Sequence, residues 1–588
     1  MSLIRNHAAR LAILTVLAAA VVAPYLIPEN PDAAVFRNGV LAALLLAGCF
    51  IPVRDALLRC TRRELTCGFG YGLLFALALS IGSELFVYNG FLPGLGSAIR
   101  RAIVPVMAAP LLGSMCARLM IMHTHVSPAG HTRRIPAVAF AAVLLLCWLP
   151  AWLAYFPGLL NYDFVSQYRQ HLYGYSMLHP LLHSVIMNGL ISLGARLYSP
   201  TFGLFLYTAV QMIVFSLSLG YACAFAQKRG IPSWMLALLT AFFALHPIFP
   251  IMGLSATKDT LFAAAVLIFS LEIWAFLEEP ASYSRMRFIL CALTAAGVAW
   301  LRNNGLFALV LMLPAIPIAA RGQRRRAVAL CGLCILVPAL VMGALQIALH
   351  PGRNPANQYF SLPAQQLVRA YNLGVMSDED RTELESWYVD TPGLLVKPHL
   401  ADGAKGYIAK DRLQTDSASF LSLWARVGKD NLRVYAEALL LLNIGSWYPD
   451  DLSHATIYAD ASYVDLGYIQ TINVPVPDEN GIDIYNLFPA ARTLYERICR
   501  RNRYQRYPIA PILFCPATPF WMLILAITLF HARKKSHLIP STFGVLGLWL
   551  SYLFGPCTLP RYVLPLFCLA PVLLAVALTN NPTKEVKS

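Results

Sequence analysis

A polar cluster around Asp163 is the first place in the sequence where chemistry can be expected. Asp163 lies in the segment YFPGLLNYDFVSQYRQ, directly after an apolar run, and Gln167, Arg169 and His179 follow it closely. An aspartate in such a setting can act as a general base. The alternative is that Asp163 caps the helix that follows it, because aspartate is a preferred N-cap residue. We favour catalysis, since the cations described next are expected on the same face.

Three basic residues lie where a membrane protein would not ordinarily place them. They are Lys258 in SATKDTLF, Arg302 in WLRNNG and Arg561 in TLPRYVLP, each at the predicted outer end of an apolar stretch. Cations there must offset their cost by pairing with an acid or by binding an anion. As a set they suit a phosphate or a pyrophosphate, because arginine offers a bidentate fork and lysine a point charge. For each residue singly, snorkelling or a salt bridge such as Lys258 with Asp259 remains an alternative.

A metal site is the minor interpretation of two histidines in the same region. His179 and His183 are four residues apart, so on a helix they would share a face and could bind zinc with Asp163 as a third ligand. The motif HPLLH lacks the intervening glutamate of a zinc protease. The Cys331-x-x-Cys334 pair lies in one apolar helix without acidic or histidine neighbours, which favours ordinary packing. We therefore expect no firm cofactor, and a divalent metal stays open.

The composition identifies a membrane protein. Of 588 residues, 58% are hydrophobic and only 13% are charged, against roughly 25% charged in soluble domains. A soluble enzyme is thereby excluded. The net charge of +16 comes from basic residues in short turns between apolar stretches. This pattern sets membrane topology and does not indicate a nucleic-acid partner.

The apolar stretches predict an all-α polytopic protein with about 14 transmembrane helices. Basic turns near residues 54–63, 133–134, 228–229, 285–287, 321–326 and 531–537 are all cytoplasmic in one threading, which also leaves both termini in the cytoplasm. The predicted spans are 9–27, 39–53, 66–88, 102–122, 136–156, 201–226, 233–252, 259–277, 286–301, 303–320, 327–349, 511–531, 538–556 and 559–578.

Two longer segments are then predicted on the outer side. Residues 157–200 form amphipathic helices on the membrane surface. Residues 351–510 hold 19 of the 30 acidic residues and form a mainly α domain, with a capped helix starting at Ser377 and an irregular stretch from Tyr448 to about Asn486. The predicted organisation is an N-terminal four-helix extension (1–135), a transmembrane module (136–350), the outer domain (351–510) and C-terminal helices with a cytoplasmic tail (511–588).

The strings YFPGLLNYDFVSQYRQ, LHP, KDTLF, RNNG and RYVLP together resemble those of bacterial membrane proteins related to the C-type glycosyltransferases. That superfamily includes protein mannosyltransferases and lipid A aminoarabinose transferases, and the resemblance covers roughly residues 136 to 578. It implies a GT-C-like helical bundle with an outer-face active site, a polyprenyl-phosphate sugar donor and an essential aspartate, which Asp163 matches. This chain departs from better-known relatives in its four extra spans and in the reduction of their paired acidic motif to NYD, which puts a metal requirement in doubt.

The resemblance therefore implies a glycosyltransferase of the bacterial cytoplasmic membrane, acting on a cell-envelope glycan, lipid or protein. Asp163 is the predicted base of an inverting transfer. The predicted donor-binding residues are Lys258, Arg302, Arg561, His179, Gln167 and Asn303, with Asp259, Tyr162 and Arg169 as secondary candidates. The rival functions are a flippase or transporter of lipid-linked glycans, which would hold its charges near the bilayer midplane on broken helices, and a glycan polymerase or ligase, in which outer-face Arg and His would matter more than Asp.

Overall fold

The computed structural model describes residues 2–26, 39–121, 134–160, 162–320, 322–352, 356–449, 481–499 and 510–579, most of them in α-helices. The N-terminal part is a group of helices in which α4 and α5 pack closely. A Cβ atom at Gly68 would lie 2.4 Å from the carbonyl oxygen of Gly113, so only glycine permits this approach. Its helices are α1 (Ser2–Leu26), α2 (Gly39–Gly48), α3 (Phe50–Arg59), α4 (Arg62–Tyr88) and α5 (Leu95–Ile121).

The central part begins with α6 and contains the most buried long helix, α12. In order, it contains α6 (Ala137–Ala154), β1 (Leu159–Leu160), α7 (Tyr162–Tyr173), α8 (Leu181–Leu197), α9 (Pro200–Lys228), α10 (Ser233–Leu245), α11 (Ile248–Leu254), β2 (Ser255–Ala256), α12 (Lys258–Glu278), α13 (Arg285–Trp300), α14 (Gly305–Met312), α15 (Ala315–Ala319) and α16 (Arg324–Leu349). The helices α6, α8 and α12 all pack against α9, which makes α9 the centre of this part.

A short parallel sheet joins two loops of the central part. Leu159 pairs with Ser255 and Leu160 pairs with Ala256. Each strand is followed almost at once by a helix, β1 by α7 and β2 by α12. Since the strands run side by side in the same direction, the N-terminal ends of α7 and α12 come together.

The described part of the predicted outer domain is α-helical, as the sequence predicts, and has an apolar core of its own around Trp387 and Phe420. Ser377 caps α18 by accepting a hydrogen bond from the Asp380 amide, which confirms the predicted helix start. Most of the predicted irregular stretch lies outside the described residues. The helices are α17 (Ser361–Leu373), α18 (Asp378–Ser386), α19 (Asp402–Gly406), α20 (Lys410–Thr415), α21 (Ser417–Asp430), α22 (Leu432–Leu442) and α23 (Pro489–Cys499).

The C-terminal helices complete the apolar body, where α27 packs against α25 and α12. These helices are α24 (Ala510–Phe514), α25 (Ala517–Ala532), α26 (Phe543–Tyr552) and α27 (Leu564–Leu578). One apolar core, of which Trp148, Leu267 and Leu569 are members, extends through the central and C-terminal parts.

The membrane character of the fold is clear from its long apolar helices. Among the described residues, seven helices are long and apolar enough to cross a bilayer, and α10 with α11 forms an eighth candidate that is bent by 47°. Other predicted spans correspond to shorter or interrupted helices, such as α14 and α15, which are separated at Leu313 and Pro314. The all-α membrane class is thus confirmed, whereas fourteen crossings and the GT-C-like arrangement stay predictions.

Candidate functional site

The sheet of β1 and β2 brings Asp163 and Lys258 into contact. Lys258 is the first residue of α12 and Asp163 lies in the first turn of α7. The Lys258 Nζ atom donates a hydrogen bond to Asp163 Oδ2 at 2.6 Å. Asp163 is therefore not placed as the N-cap of α7; its carboxylate is held by a cation from another helix. The positive ends of both helices also favour negative charge at this place.

Asp259, the next residue on α12, forms ion pairs with two arginines. It is 1% exposed, and its Oδ1 lies 3.0 Å from Arg302 Nη1. The Nη1 atom of Arg561 lies between the two carboxylates, 3.9 Å from Asp259 Oδ2 and 3.7 Å from Asp163 Oδ2. We call Asp163, Lys258, Asp259, Arg302 and Arg561 the charge cluster. With three cations and two carboxylates, its net charge is +1.

Aromatic rings hold Arg302 in place. The centre of its guanidinium group lies 4.4 Å from the ring centroid of Tyr562 and 5.7 Å from that of Tyr552. Such cation–π contacts restrict the arginine without using its N–H donors. The sequence analysis missed both tyrosines, although Tyr562 directly follows Arg561 and could have been noticed in the RYVLP string.

The cluster keeps hydrogen-bonding capacity unused. Among the described residues, the buried Nε atom of Arg561 has no polar partner, whereas Arg302 Nη1 and Arg561 Nη1 contact the carboxylates as ion pairs without the geometry of hydrogen bonds. Buried donors are normally satisfied, so the N–H group of Arg561 Nε is available to an anionic ligand, and the arginine ion pairs can be exchanged for contacts with one. The side chains of Lys258 and Asp163 are 14% and 24% exposed, against 10% for Arg302 and 8% for Arg561. Access to the cluster is therefore from the Asp163 side.

Electrostatics fix the protonation states around Asp163. Burial alone would raise the pKa of the Asp163 carboxyl, but Lys258 and then Arg561 outweigh burial and hold that pKa well below its usual range. Burial, reinforced by the charge of Lys258, lowers the pKa of His179 to about 4. Asp163 is thus ionised and His179 neutral at neutral pH.

The two histidines make separate hydrogen bonds within the protein. His183 uses both ring nitrogens within the protein, with Gln167 Oε1 at 2.5 Å and with the Tyr207 hydroxyl at 2.7 Å. His179 bonds through Nε2 to the Ser166 hydroxyl at 2.9 Å. Within the described ranges, no group of three His, Cys, Asp or Glu side chains has the arrangement of a metal site. The His183 nitrogens thus support a structural role for that residue.

The remaining predicted site residues lie around the cluster. Gln167 supports His183, and Asn303 donates to the carbonyl oxygens of Met177 and Leu178, which ties the RNNG turn to the loop before His179. Arg169 is exposed on α7. The side chain of Tyr162 lies outside the described residues. Neither Gln167 nor Asn303 contacts a member of the charge cluster through a hydrogen bond.

The predicted outer domain contacts the loop that carries Arg561. The Ala401 amide donates to the carbonyl oxygen of Pro556 at 2.7 Å, and the Asn443 side chain donates to that of Leu553 at 2.8 Å. These contacts lie in the segment between α26 and α27. The domain therefore contributes to the position of Arg561, a relation that the sequence does not indicate.

The comparisons with known proteins find one family. Residues 175–588 match the model of the family described as "Family of unknown function (DUF6020)". The match covers more than half of the chain, so the protein belongs to that family. Its matched region contains Lys258, Asp259, Arg302 and Arg561 and begins after Asp163. No curated protein and no solved structure matches the chain.

Proposed function

We propose that this protein is a membrane glycosyltransferase that moves a sugar from a polyprenyl-phosphate donor to an extracytoplasmic acceptor of the bacterial cell envelope. The observation that carries the proposal is the charge cluster, in which three cations outnumber two carboxylates and Arg561 Nε has no polar partner among the described residues. Preorganised cations at low dielectric are well suited to stabilise a phosphate leaving group. A carboxylate within the same cluster supplies a base.

The length of α12 supports a site at the membrane boundary. Its 21 residues extend over about 31 Å, and the hydrocarbon core of a bilayer is about 30 Å thick. Lys258 at one end and Glu278 at the other are therefore separated by the thickness of that core. A phosphate headgroup lies at such a boundary, whereas the lipid chain remains in the core.

Charge asymmetry supports the extracytoplasmic side for the cluster. The end of α12 opposite to Lys258 is close to Arg229, which pairs with Glu278, and to Arg287, which pairs with Glu272. Basic residues collect on the cytoplasmic side of membrane proteins. An accessibility label at residue 324 or 534 should react only from the cytoplasm, and a label at residue 402 only from outside. The opposite labelling would contradict the proposed extracytoplasmic location of the donor site.

The donor phosphate enters by competing with Asp163 for its cations. As Lys258 and Arg561 turn to the phosphate, the Asp163 carboxylate loses the partners that depress its pKa and becomes a stronger base. His179, neutral and close enough to influence Asp163, orients an oxygen of the sugar or the phosphate. Asn303 and Gln167 hold this part of the site in place through their contacts with the flanking loop and with His183.

The proposed transfer is a single displacement at the anomeric carbon of the sugar. Asp163 accepts the proton of an acceptor hydroxyl, and the hydroxyl oxygen forms a bond to the anomeric carbon. The bond from that carbon to the phosphate oxygen breaks, and polyprenyl phosphate leaves with the electron pair. Lys258, Arg302 and Arg561 stabilise the charge that grows on the phosphate. One carboxylate base implies inversion, so a product that keeps the donor's anomeric configuration would contradict this mechanism.

The direct test uses the purified full chain in a lipid nanodisc. A polyprenyl-phosphate donor with a radiolabelled sugar is supplied together with a pool of envelope acceptors, and the release of polyprenyl phosphate is measured with the label that appears in product. We expect transfer that depends on the acceptor. If the protein binds the donor and no acceptor takes up label, the transferase proposal is wrong and transport becomes the better account.

Transport of a lipid-linked glycan is the second candidate function, because α10 and α11 form a bent pair of the kind that lines transporter sites. The bent pair is connected to the charge cluster, since α11 leads into β2 and Lys258. The Gln211 amide donates to the carbonyl oxygens of Gly253 and Ser255 at 2.8 and 2.7 Å, so a side chain of α9 satisfies backbone groups at this end of α11. Transport would move the intact glycan lipid without breaking the anomeric bond.

A further inference from the structure

The charge cluster has a defined net charge that can select among lipid-linked sugars. We infer that the buried carboxylate of Asp259 determines donor specificity: with it, the cluster matches the single negative charge of the phosphate-linked donor proposed above and discriminates against a diphosphate-linked donor. The inference rests on the proposed function and adds the charge of the substrate to it.

The charge count comes from contacts within the cluster. Among the described residues, the ion pairs of these five side chains join them only to one another. Lys258, Arg302 and Arg561 contribute three positive charges, and Asp163 and Asp259 remove two. The nearby His179 is neutral at neutral pH. A phosphodiester donor, with one negative charge, brings the total to zero, whereas a diphosphate-linked donor brings it to minus one.

Burial makes this difference matter. Asp259 is 1% exposed at its side chain, and the two arginines are 10% exposed or less. Solvent therefore screens the cluster poorly, and an uncompensated charge costs far more there than at an exposed site. A diphosphate would place its second negative charge in the same surroundings as the carboxylates of Asp163 and Asp259.

The balance also holds after the transfer step. When the phosphodiester is cleaved, the leaving phosphate gains one negative charge and Asp163 gains the acceptor proton. The cluster then carries +2 and the polyprenyl phosphate carries minus two, so their sum is again zero. With a diphosphate-linked donor the sum would be minus one both before and after transfer. The cluster is thus complementary to the phosphodiester and to its product.

Asp259 is unusual for an anion-binding site, because it places a buried carboxylate beside the arginines. A site that only attracted anions would bind more strongly without a buried carboxylate between its arginines. Its position depends on Thr257, whose hydroxyl donates to Asp259 Oδ2 at 3.1 Å, and on Arg302. An asparagine can accept hydrogen bonds at the same place, so Asp259→Asn changes the charge of the cluster to +2 while keeping the shape of the side chain.

The experiment compares two donors that differ in one phosphate. Purified full-length protein in nanodiscs of uncharged lipid is titrated with a polyprenyl-phosphate sugar and with the corresponding polyprenyl-diphosphate sugar, using the same neutral sugar and the same chain length. We expect the parent protein to favour the phosphate-linked donor by at least tenfold. In Asp259→Asn, the affinity for the diphosphate-linked donor relative to that for the phosphate-linked donor should rise by at least tenfold.

Glu278→Gln is the matched control, because it removes an acid from the other end of the same helix, where Glu278 is 40% exposed and pairs with Arg229. Its affinity ratio should equal that of the parent. Asp163→Asn, which also raises the cluster to +2, provides a second variant if Asp259→Asn fails to fold, and it should shift the ratio in the same direction.

The outcomes separate this inference from the proposed function. A parent protein that binds the diphosphate-linked donor equally well or better overturns the inference and leaves the transferase proposal intact. An unchanged ratio in the folded variants overturns the part assigned to the carboxylates. A parent protein that binds neither donor contradicts the proposed function itself.

Discussion

The two ends of α12 carry buried carboxylates that are paired in opposite ways. Near the C-terminal end, Glu272 accepts hydrogen bonds from the hydroxyls of Tyr221 and Tyr283 and two from Arg287, at 2.8 and 3.1 Å. At the N-terminal end, Asp259 pairs with Arg302 at 3.0 Å and shares Arg561 with Asp163, at 3.9 and 3.7 Å respectively. Both carboxylates are 1% exposed at their side chains.

The difference distinguishes a structural network from the proposed binding site. Every oxygen of Glu272 is satisfied by donors of the protein, so the network is complete without a ligand. The charge cluster contains one cation more than its acids can neutralise, and Arg561 Nε has no polar partner among the described residues. Buried polar groups that are left incomplete are costly, which is why the N-terminal end of α12 is where a ligand is expected.

The largest effect on turnover should come from Asp163→Asn. The amide keeps the shape of the side chain but cannot accept the proton, so sugar transfer should fall by about 10² to 10⁴ while donor binding persists. Thermal stability, donor binding and transfer rate should be measured on one preparation. Turnover within a few fold of the parent would show that Asp163 is not the base. The search would then move to Asp259 and next to Asp450 and Asp451, which lie outside the described residues.

The largest effect on stability should come from a substitution near the C-terminal end of α12. Glu272→Ala leaves Arg287 without its carboxylate and two tyrosine hydroxyls without their acceptor, and should cost about 3 kcal/mol or more in the free energy of unfolding. Transfer by the protein that remains folded should be unchanged. Tyr221→Phe, which removes one hydrogen bond to a charged group, should cost about 1.5 to 3 kcal/mol. A loss of sugar transfer in folded Glu272→Ala would contradict a purely structural role for the network around Glu272.

Donor affinity should depend on both arginines. Arg302→Ala and Arg561→Ala each remove charge-assisted hydrogen bonds to phosphate, so each should weaken donor binding by about 1.5 to 3 kcal/mol. Arg302→Lys should restore binding only in part, because lysine lacks the planar fork and its stacking on Tyr562. Titration with the phosphate-linked donor measures all three variants. Unchanged affinity in both alanine variants would leave the arginines with a structural role like that of Arg287.

The smallest effect concerns pH. Because the pKa of His179 is lowered to about 4, the ring stays neutral from pH 8 down to about 5.5, and donor affinity should be nearly constant over that range. Below it, protonation would add a positive charge beside the cluster and strengthen anion binding by a few fold. His179→Gln should remove that rise, and the pH profile of donor binding measures it. A titration of binding near pH 6.5 that disappears in His179→Gln would contradict the neutral assignment.

Much of the fold follows from local properties of the sequence. The apolar stretches identify the long helices because a helix in lipid must bury its own backbone polar groups. Ser377 predicts its helix start because a serine hydroxyl satisfies a free amide of the first turn. The helix interruption near Pro314 is less evident from hydropathy alone, since a span and a broken helix have similar composition. The bend between α10 and α11 is missed for the same reason.

The sequence by itself determined which charged residues are unusual, because cations and acids at the ends of apolar stretches are rare and costly. Only the tertiary structure decided how they pair. Neighbouring residues on a helix point in different directions, so Lys258 turns to Asp163 and its neighbour Asp259 turns to Arg302, rather than pairing with each other. That arrangement depends on the pairing of two strands of two residues each. Such short strands have no readable periodicity, so the contact that assembles the site arises from long-range packing.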